Sequence, residues 1–193
     1  MSYNFFAYMA RMKLIRRWSL MKSVSDENIA EHSAQVAQIA HALAVIKNRI
    51  FGGTLNADRI ASAALYHETS EVLTGDLPTP IKYYNPEIRE SYKSIENTAN
   101  EKLLSMLPED IRSDYRELIY VPTDSYEYAL IKAADKISAY IKCVEELRSG
   151  NKEFAKAERT LKKEIEAYYS YDEVKYFCET FLATFKKTLD ELE

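Results

Sequence analysis

The chain has three histidines, and two of them are followed or preceded by carboxylates. In YHETSEVLTGDLPTP, which begins at Tyr66, His67 runs directly into Glu68, Glu71 follows three residues later, and Asp76 lies just beyond Gly75. His32 follows Glu31 on an earlier segment. Imidazole nitrogens and carboxylate oxygens together suit borderline divalent metals such as zinc, cobalt, manganese or iron. Two carboxylates about 4 Å apart repel by about 1 kcal/mol in water and about 4 kcal/mol near a protein surface, so an inward-facing Glu68 and Glu71 require a cation or raised pKa values. The alternative is a solvated helix end on which both glutamates pair with nearby Lys or Arg. No HExxH, CxxC or EF-hand spacing occurs, so any metal ligands must come from separate helices.

The elements that would position these groups are helical. Only four glycines and five prolines punctuate the chain, and the segments between them repeat apolar residues every three or four positions. This predicts an all-α fold. The clearest helix starts near Ser25 or Asp26 and runs to Phe51 before Gly52 and Gly53, with Ile29, His32, Val36, Ile39, Leu43, Ile46 and Ile50 as its stripe. His41 lies nearly opposite that stripe and reads as exposed. A second helix begins after Asn56 and places Ile60, Ala64, His67 and Glu71 on one face, with Glu68 at the flank, until Gly75, Pro78 and Pro80 end it. A third runs from about Pro86 to Leu107. A fourth covers roughly Ser125 to Leu147, with Asp135 on the flank of its apolar stripe. Residues Glu153 to Glu193 read as two more helices split at the YYSYD that starts at Tyr168.

A chain of 193 residues suits one domain, residues 1–193. Its net charge of −4 and pI near 5.6 argue against a nucleic-acid polymer or an anionic membrane as partner. There is no long apolar run and no secretory leader in MSYNFFAYMARMK, which predicts a cytoplasmic protein. Cys143 and Cys178 read as buried thiols.

A histidine on an early helix, a histidine followed by an acidic residue on the next, and a distant aspartate resemble the H...HD...D signature of HD-domain metal phosphohydrolases. The matching residues are His32, His67 with Glu68, and Asp135 within LIKAADKISAYIKC. RRWSLMKSV, NIAEHSAQVAQIAHALAVIKNRIFGG and SEVLTGDLPTPIKYYN narrow the resemblance to the bacterial 5'-deoxynucleotidases of the YfbR type, over most of the chain from about Phe5. The family's paired motif is His-Asp, and this chain carries His67-Glu68 in its place.

The resemblance implies a single-domain HD-type helical bundle. It implies hydrolysis of deoxyribonucleoside 5'-monophosphates with a divalent metal, cobalt, manganese, zinc or similar, held by His32, His67, Glu68 and Asp135. Glu71 and Asp76 would both be catalytic, one protonating the leaving 5'-oxygen and the other positioning or deprotonating the water, and their positions in the sequence leave open which does which. Arg17 would hold the nucleotide, and Trp18 would pack where a ribose carries its 2'-hydroxyl. Glu31 is a candidate to hold the far nitrogen of a ligating histidine. Tyr83 and Tyr84 are candidates to line the pocket, and a homodimer is implied, with the C-terminal helices and their tyrosines as contact surfaces. The competing expectation is a nucleotide-binding protein that keeps the pocket but has lost tight metal binding through Glu68.

Overall fold

The computed structural model describes residues 2–82 and 84–193. Its helices, in chain order, are α1 (Phe5–Met9), α2 (Ile29–Ile50), α3 (Ala57–Leu65), α4 (Glu71–Thr74), α5 (Thr79–Lys82), α6 (Pro86–Leu104), α7 (Glu109–Ile119), α8 (Tyr126–Arg148), α9 (Ala155–Glu166) and α10 (Asp172–Phe181). Among the described residues no strand forms, and the one extended pairing is an antiparallel bridge between Arg16 and Asn28. The all-α expectation holds, and so does the split at Tyr168 to Asp172 between α9 and α10.

Helix α2 begins later than its first polar residues suggest. Asn28, in extended conformation, accepts from the amides of Ala30 and Glu31 at 3.0 Å each, and Glu31 reaches back to the Asn28 amide. This capping box fixes the start. Ser25 is drawn away instead, because its amide donates to Glu146 and its carbonyl accepts from Lys142. Of the predicted stripe, Ile29 to Ile46 are buried, while Ile50 is half exposed where the helix outruns the core.

The second predicted helix breaks where its chemistry starts. α3 ends at Leu65, and the chain turns through Tyr66 to Ser70 before the single turn of α4. Two side chains take carbonyls that a continuing helix would need: Thr69 Oγ1 donates to Tyr66 O at 2.6 Å, and His67 Nδ1 lies 2.7 Å from Ala64 O. His67 and Glu71 therefore do not share a face of one helix. A tight turn brings them together. Gly75, at φ 74°, closes α4 and turns the chain toward Asp76; a side chain there would meet no atom, so its requirement is conformational.

The third helix stops at Leu104 instead of Leu107, and α7 was not anticipated. Its sequence, EDIRSDYRELI, buries no residue completely, but Tyr115, Leu118 and Ile119 cover the core edge against α3 and α6.

Helix α2 packs against both α3 and α8, and the main core gathers Val36, Leu43, Ile60, Leu130, Ile137 and Ile141 with residues of α9 and α10. Each such side chain contributes about 1.5–3 kcal/mol by leaving water. A smaller core joins Phe5, Met12, Ile29, Val72, Leu103, Leu104 and Leu107. Cys143 and Cys178 are buried free thiols, as expected. Tyr168, Tyr169, Tyr171 and Tyr176 are partly buried against the main core. No helix among the described residues is long and apolar enough to cross a membrane.

Candidate metal centre and substrate pocket

The two cores meet where the chemistry is concentrated. His32 on α2 sits between Ile29 of the smaller core and Val36 of the main one, and Glu71 precedes Val72 of the smaller core. α8 supplies Asp135 across from α2, and the turn after α3 supplies His67 and Glu68. One ligating atom from each of His32, His67, Glu68 and Asp135 falls within 4.8 Å of all the others. The longer Glu68 side chain does not swing out of the cluster: its Oε1 lies 3.2 Å from His67 Nε2.

The hydrogen bonds behind the histidines fix which nitrogen faces the cluster. Ala64 O can only accept, so His67 Nδ1 carries a proton, and Nε2 is the nitrogen that faces the cluster. That Nε2 is buried, and despite its closeness to Glu68 it makes no hydrogen bond. The Ser138 hydroxyl donates to Gln35 Oε1 at 2.6 Å and therefore accepts from His32 Nδ1 at 3.0 Å. His32 Nε2, 3.0 Å from Asp135 Oδ1, is then the second inward-facing nitrogen. Burial, aided by the charge of Arg17, lowers the His32 pKa and favours this neutral ring. Two imidazole nitrogens facing two carboxylates need protons or a cation between them. These donors fit a borderline divalent metal. Glu31, expected behind a histidine, is occupied by helix capping; Ser138 and the Ala64 carbonyl take that place.

The carboxylates show the same strain. Burial raises the Glu71 pKa, the neighbouring Glu68 charge adds to it, and the group is pushed up to about 11. Its Oε2 has no partner. For Glu68 burial acts upward too, but His67 and a hydrogen bond with Glu71 hold it well below the usual carboxylate range. Asp135 is likewise held low, against its burial, by Lys132 at 3.3 Å and by His32. Asp76 is raised by burial, with the Glu68 charge adding to this and Arg17 opposing it.

Arg17 and Trp18 lie on the other side of this cluster and share one anchor. Glu27 Oε2 accepts from Arg17 Nε at 3.0 Å and from Trp18 Nε1 at 2.9 Å. Trp18 has φ 59°, the one positive φ outside glycine among the described residues, and its backbone amide faces Asp76 and favours its charged form. Its indole packs on Phe154 with ring centres 5.3 Å apart.

All eight predicted site residues thus lie in one neighbourhood. Tyr84 is largely exposed, and Tyr83 lies outside the described residues. His41 is half exposed beside Asp58, as expected. Sequence reasoning missed Ser138, Glu27 and the rim lysines Lys82 and Lys132. Lys132 and Ser138 flank Asp135 at three residues on either side, a helical spacing that could have drawn attention to them. Glu27 had no such signal, because its contacts cross a loop.

The family model for 5'-deoxynucleotidase YfbR-like proteins matches residues 4–185. The chain is 58% identical to a 5'-deoxynucleotidase of Vibrio cholerae, over 98% of this chain and 97% of the relative. It is 53% identical to one of Pectobacterium atrosepticum, over 98% and 95%. Among solved structures, an HD-domain phosphohydrolase from Listeria innocua superposes with a TM-score of 0.84 at 25% identity, over 95% of this chain and 88% of that one. A cyanophage S-2L HD phosphohydrolase, bound to dA and one catalytic zinc ion, is similar in fold, with a TM-score of 0.66, 19% identity and 94% and 96% of the two chains covered.

Proposed function

The chain belongs to the YfbR-like 5'-deoxynucleotidases, a group of HD-domain phosphohydrolases, and we propose that its site hydrolyses deoxyribonucleoside 5'-monophosphates to deoxyribonucleoside and phosphate with one divalent metal. The observation that carries this reading is the convergence of two imidazole nitrogens on Glu68 and Asp135. A cation held by His32, His67, Glu68 and Asp135 would supply charge neutralisation for the phosphate and acidify the attacking water.

The chain's own residues account for the rest. Arg17 is engaged by Glu27 through Nε, so both Nη groups remain for a phosphate oxygen. Lys132 and Lys82 add positive charge at the rim, and the charges of Glu68 and of their partners Asp135 and Glu96 keep both ammonium groups protonated. Glu71 touches Glu68, on the metal side, where it can orient the water. Asp76 lies by Arg17 and the Trp18 amide, on the nucleotide side, and its raised pKa suits a proton donor to the leaving 5'-oxygen. The sequence leaves this division of roles open, and the assignment rests on which neighbours each residue has. The indole nitrogen of Trp18 is already committed to Glu27, so the ring offers a 2'-hydroxyl no donor. Leaving that hydroxyl unpaired costs about 1–3 kcal/mol and favours deoxyribose. Homodimer formation belongs to the same proposal and is read by sedimentation.

The test is phosphate release from dAMP and AMP by chelator-stripped protein with cobalt, manganese, magnesium or zinc restored in turn. Metal-restored turnover that favours dAMP supports the reading. No turnover with any metal, together with activity in Glu68→Asp, would instead make the natural chain a nucleotide binder with a weakened metal site.

A further inference from the structure

We propose that Glu27 is a specificity-determining positioning residue: its single Oε2 locks Arg17 and Trp18 in register and withholds the indole N–H from the sugar. The inference rests on the nucleotide roles given above to Arg17 and Trp18.

Four observations converge on it. The carboxylate is largely buried, as is the guanidinium it meets, and both are 12% exposed as side chains. Its one oxygen receives two donors from consecutive residues, so the angle between guanidinium and indole is fixed through one atom. The backbone is paired at the same point, since the Arg17 amide donates to Glu27 O at 2.9 Å beside the Arg16 to Asn28 bridge. Glu27 also does no helix capping, a task Asn28 and Glu31 already perform.

Trp18 shows what this anchor holds in place. A tryptophan at φ 59° occupies a costly backbone region that persists only where surrounding contacts impose it. The side chain is held by Glu27 and Phe154, and the backbone amide faces Asp76. With Glu27 in place, the only hydrogen-bond donor of the ring is taken. Without an acceptor at that position the N–H becomes free to meet a 2'-hydroxyl, so AMP should gain relative to dAMP.

The neighbouring pair supplies an internal control. Arg16 and Asp26 are 3.1 Å apart on the same loop, but their side chains are 73% and 66% exposed, and such pairs are worth little. Asp26→Asn should leave nucleotide discrimination unchanged.

The experiment is calorimetric titration of dAMP and AMP into chelator-stripped wild type, Glu27→Gln, Glu27→Met and Asp26→Asn, where no turnover occurs. Glu27→Gln retains an acceptor oxygen and Glu27→Met retains only the shape. The expected result is a graded loss: weaker dAMP binding by about tenfold to a hundredfold in Glu27→Met, less in Glu27→Gln, and a dAMP to AMP affinity ratio that narrows in the same order. The ratio is insensitive to a misfolded fraction, which lowers the number of sites for both nucleotides alike. An unchanged ratio in both Glu27 variants would overturn the inference, as would the absence of any preference in wild type. Because binding is read without catalysis, failure of metal to restore phosphate release would count against the proposed reaction and not against Glu27.

Discussion

Two buried carboxylate sites in this molecule are handled in opposite ways. Glu146, 1% exposed, accepts from the Val24 and Ser25 amides, Asn151 Nδ2 and Lys142 Nζ, the last at 2.5 Å. Burial would push its pKa up, but these donors outweigh it and hold it at about 2. Glu71, 3% exposed, faces another carboxylate, keeps one oxygen without a partner and is pushed up to about 11. The first site is closed with protein donors and fastens the loop of residues 19–28 to α8. The second keeps a carboxylate oxygen unpaired beside two inward imidazole nitrogens. The first arrangement is structural, and the second is the one the proposed function assigns to a cation and a reaction.

The largest effect that could break this contrast comes from removing a ligand. His67→Ala should lower phosphate release by about a thousandfold or more, because transition-state charge neutralisation worth several kcal/mol is lost at about 1.4 kcal/mol per tenfold. Circular dichroism should stay helical, since His67 lies in a turn. Retained activity would remove the turn from the metal centre.

Glu146→Gln tests the other side. It leaves Lys142 buried without its charge partner and should cost about 3 kcal/mol of stability by denaturant unfolding. A change near zero would mean the loop is held by other contacts.

The two sites should also respond to pH in opposite directions in metal-free protein. Glu146 has a folded pKa below its ordinary value of 4.5, so its contribution is present above that value and is lost as pH falls toward about 2. Glu71 has a folded pKa above 4.5, so its contribution is full below that value and is lost as pH rises toward about 11. Glu71→Gln, which keeps the shape without the titration, should therefore flatten the decline in metal-free stability on the alkaline side while lowering turnover by about a hundredfold or more. A decline unchanged in the variant would assign it to other groups.

The smallest effect is expected behind His32. Ser138→Ala removes the acceptor that sets the ring's tautomer and should weaken metal binding by about tenfold to a hundredfold, while the fold persists. An unchanged affinity would show that the ring is oriented by packing alone.

These comparisons also explain what was legible in the sequence. The helical framework could be read because Val36, Leu43, Ile137 and Ile141 recur at helical spacing and are all buried. α7 could not, because its charged residues hide an apolar edge that only the partner helices define. His32, His67 and Asp135 were legible through motif resemblance, but their arrangement was not. His67 and Glu71 read as one helical face, whereas the Thr69 and His67 side chains capture carbonyls and make a turn. Glu27 was silent because its partners Arg17 and Trp18 lie ten and nine residues back across a loop, a contact that no local periodicity encodes.

The most direct test is metal content and titration of wild type against Glu68→Gln, by elemental analysis and calorimetry with zinc, manganese and cobalt on chelator-stripped protein. The account predicts one ion per wild-type chain, proton release on binding, and affinity lowered at least tenfold in the variant. No ion bound by the wild type, or equal affinity in the two proteins, would contradict the claim that the open carboxylate cluster is a metal seat completed by Glu68.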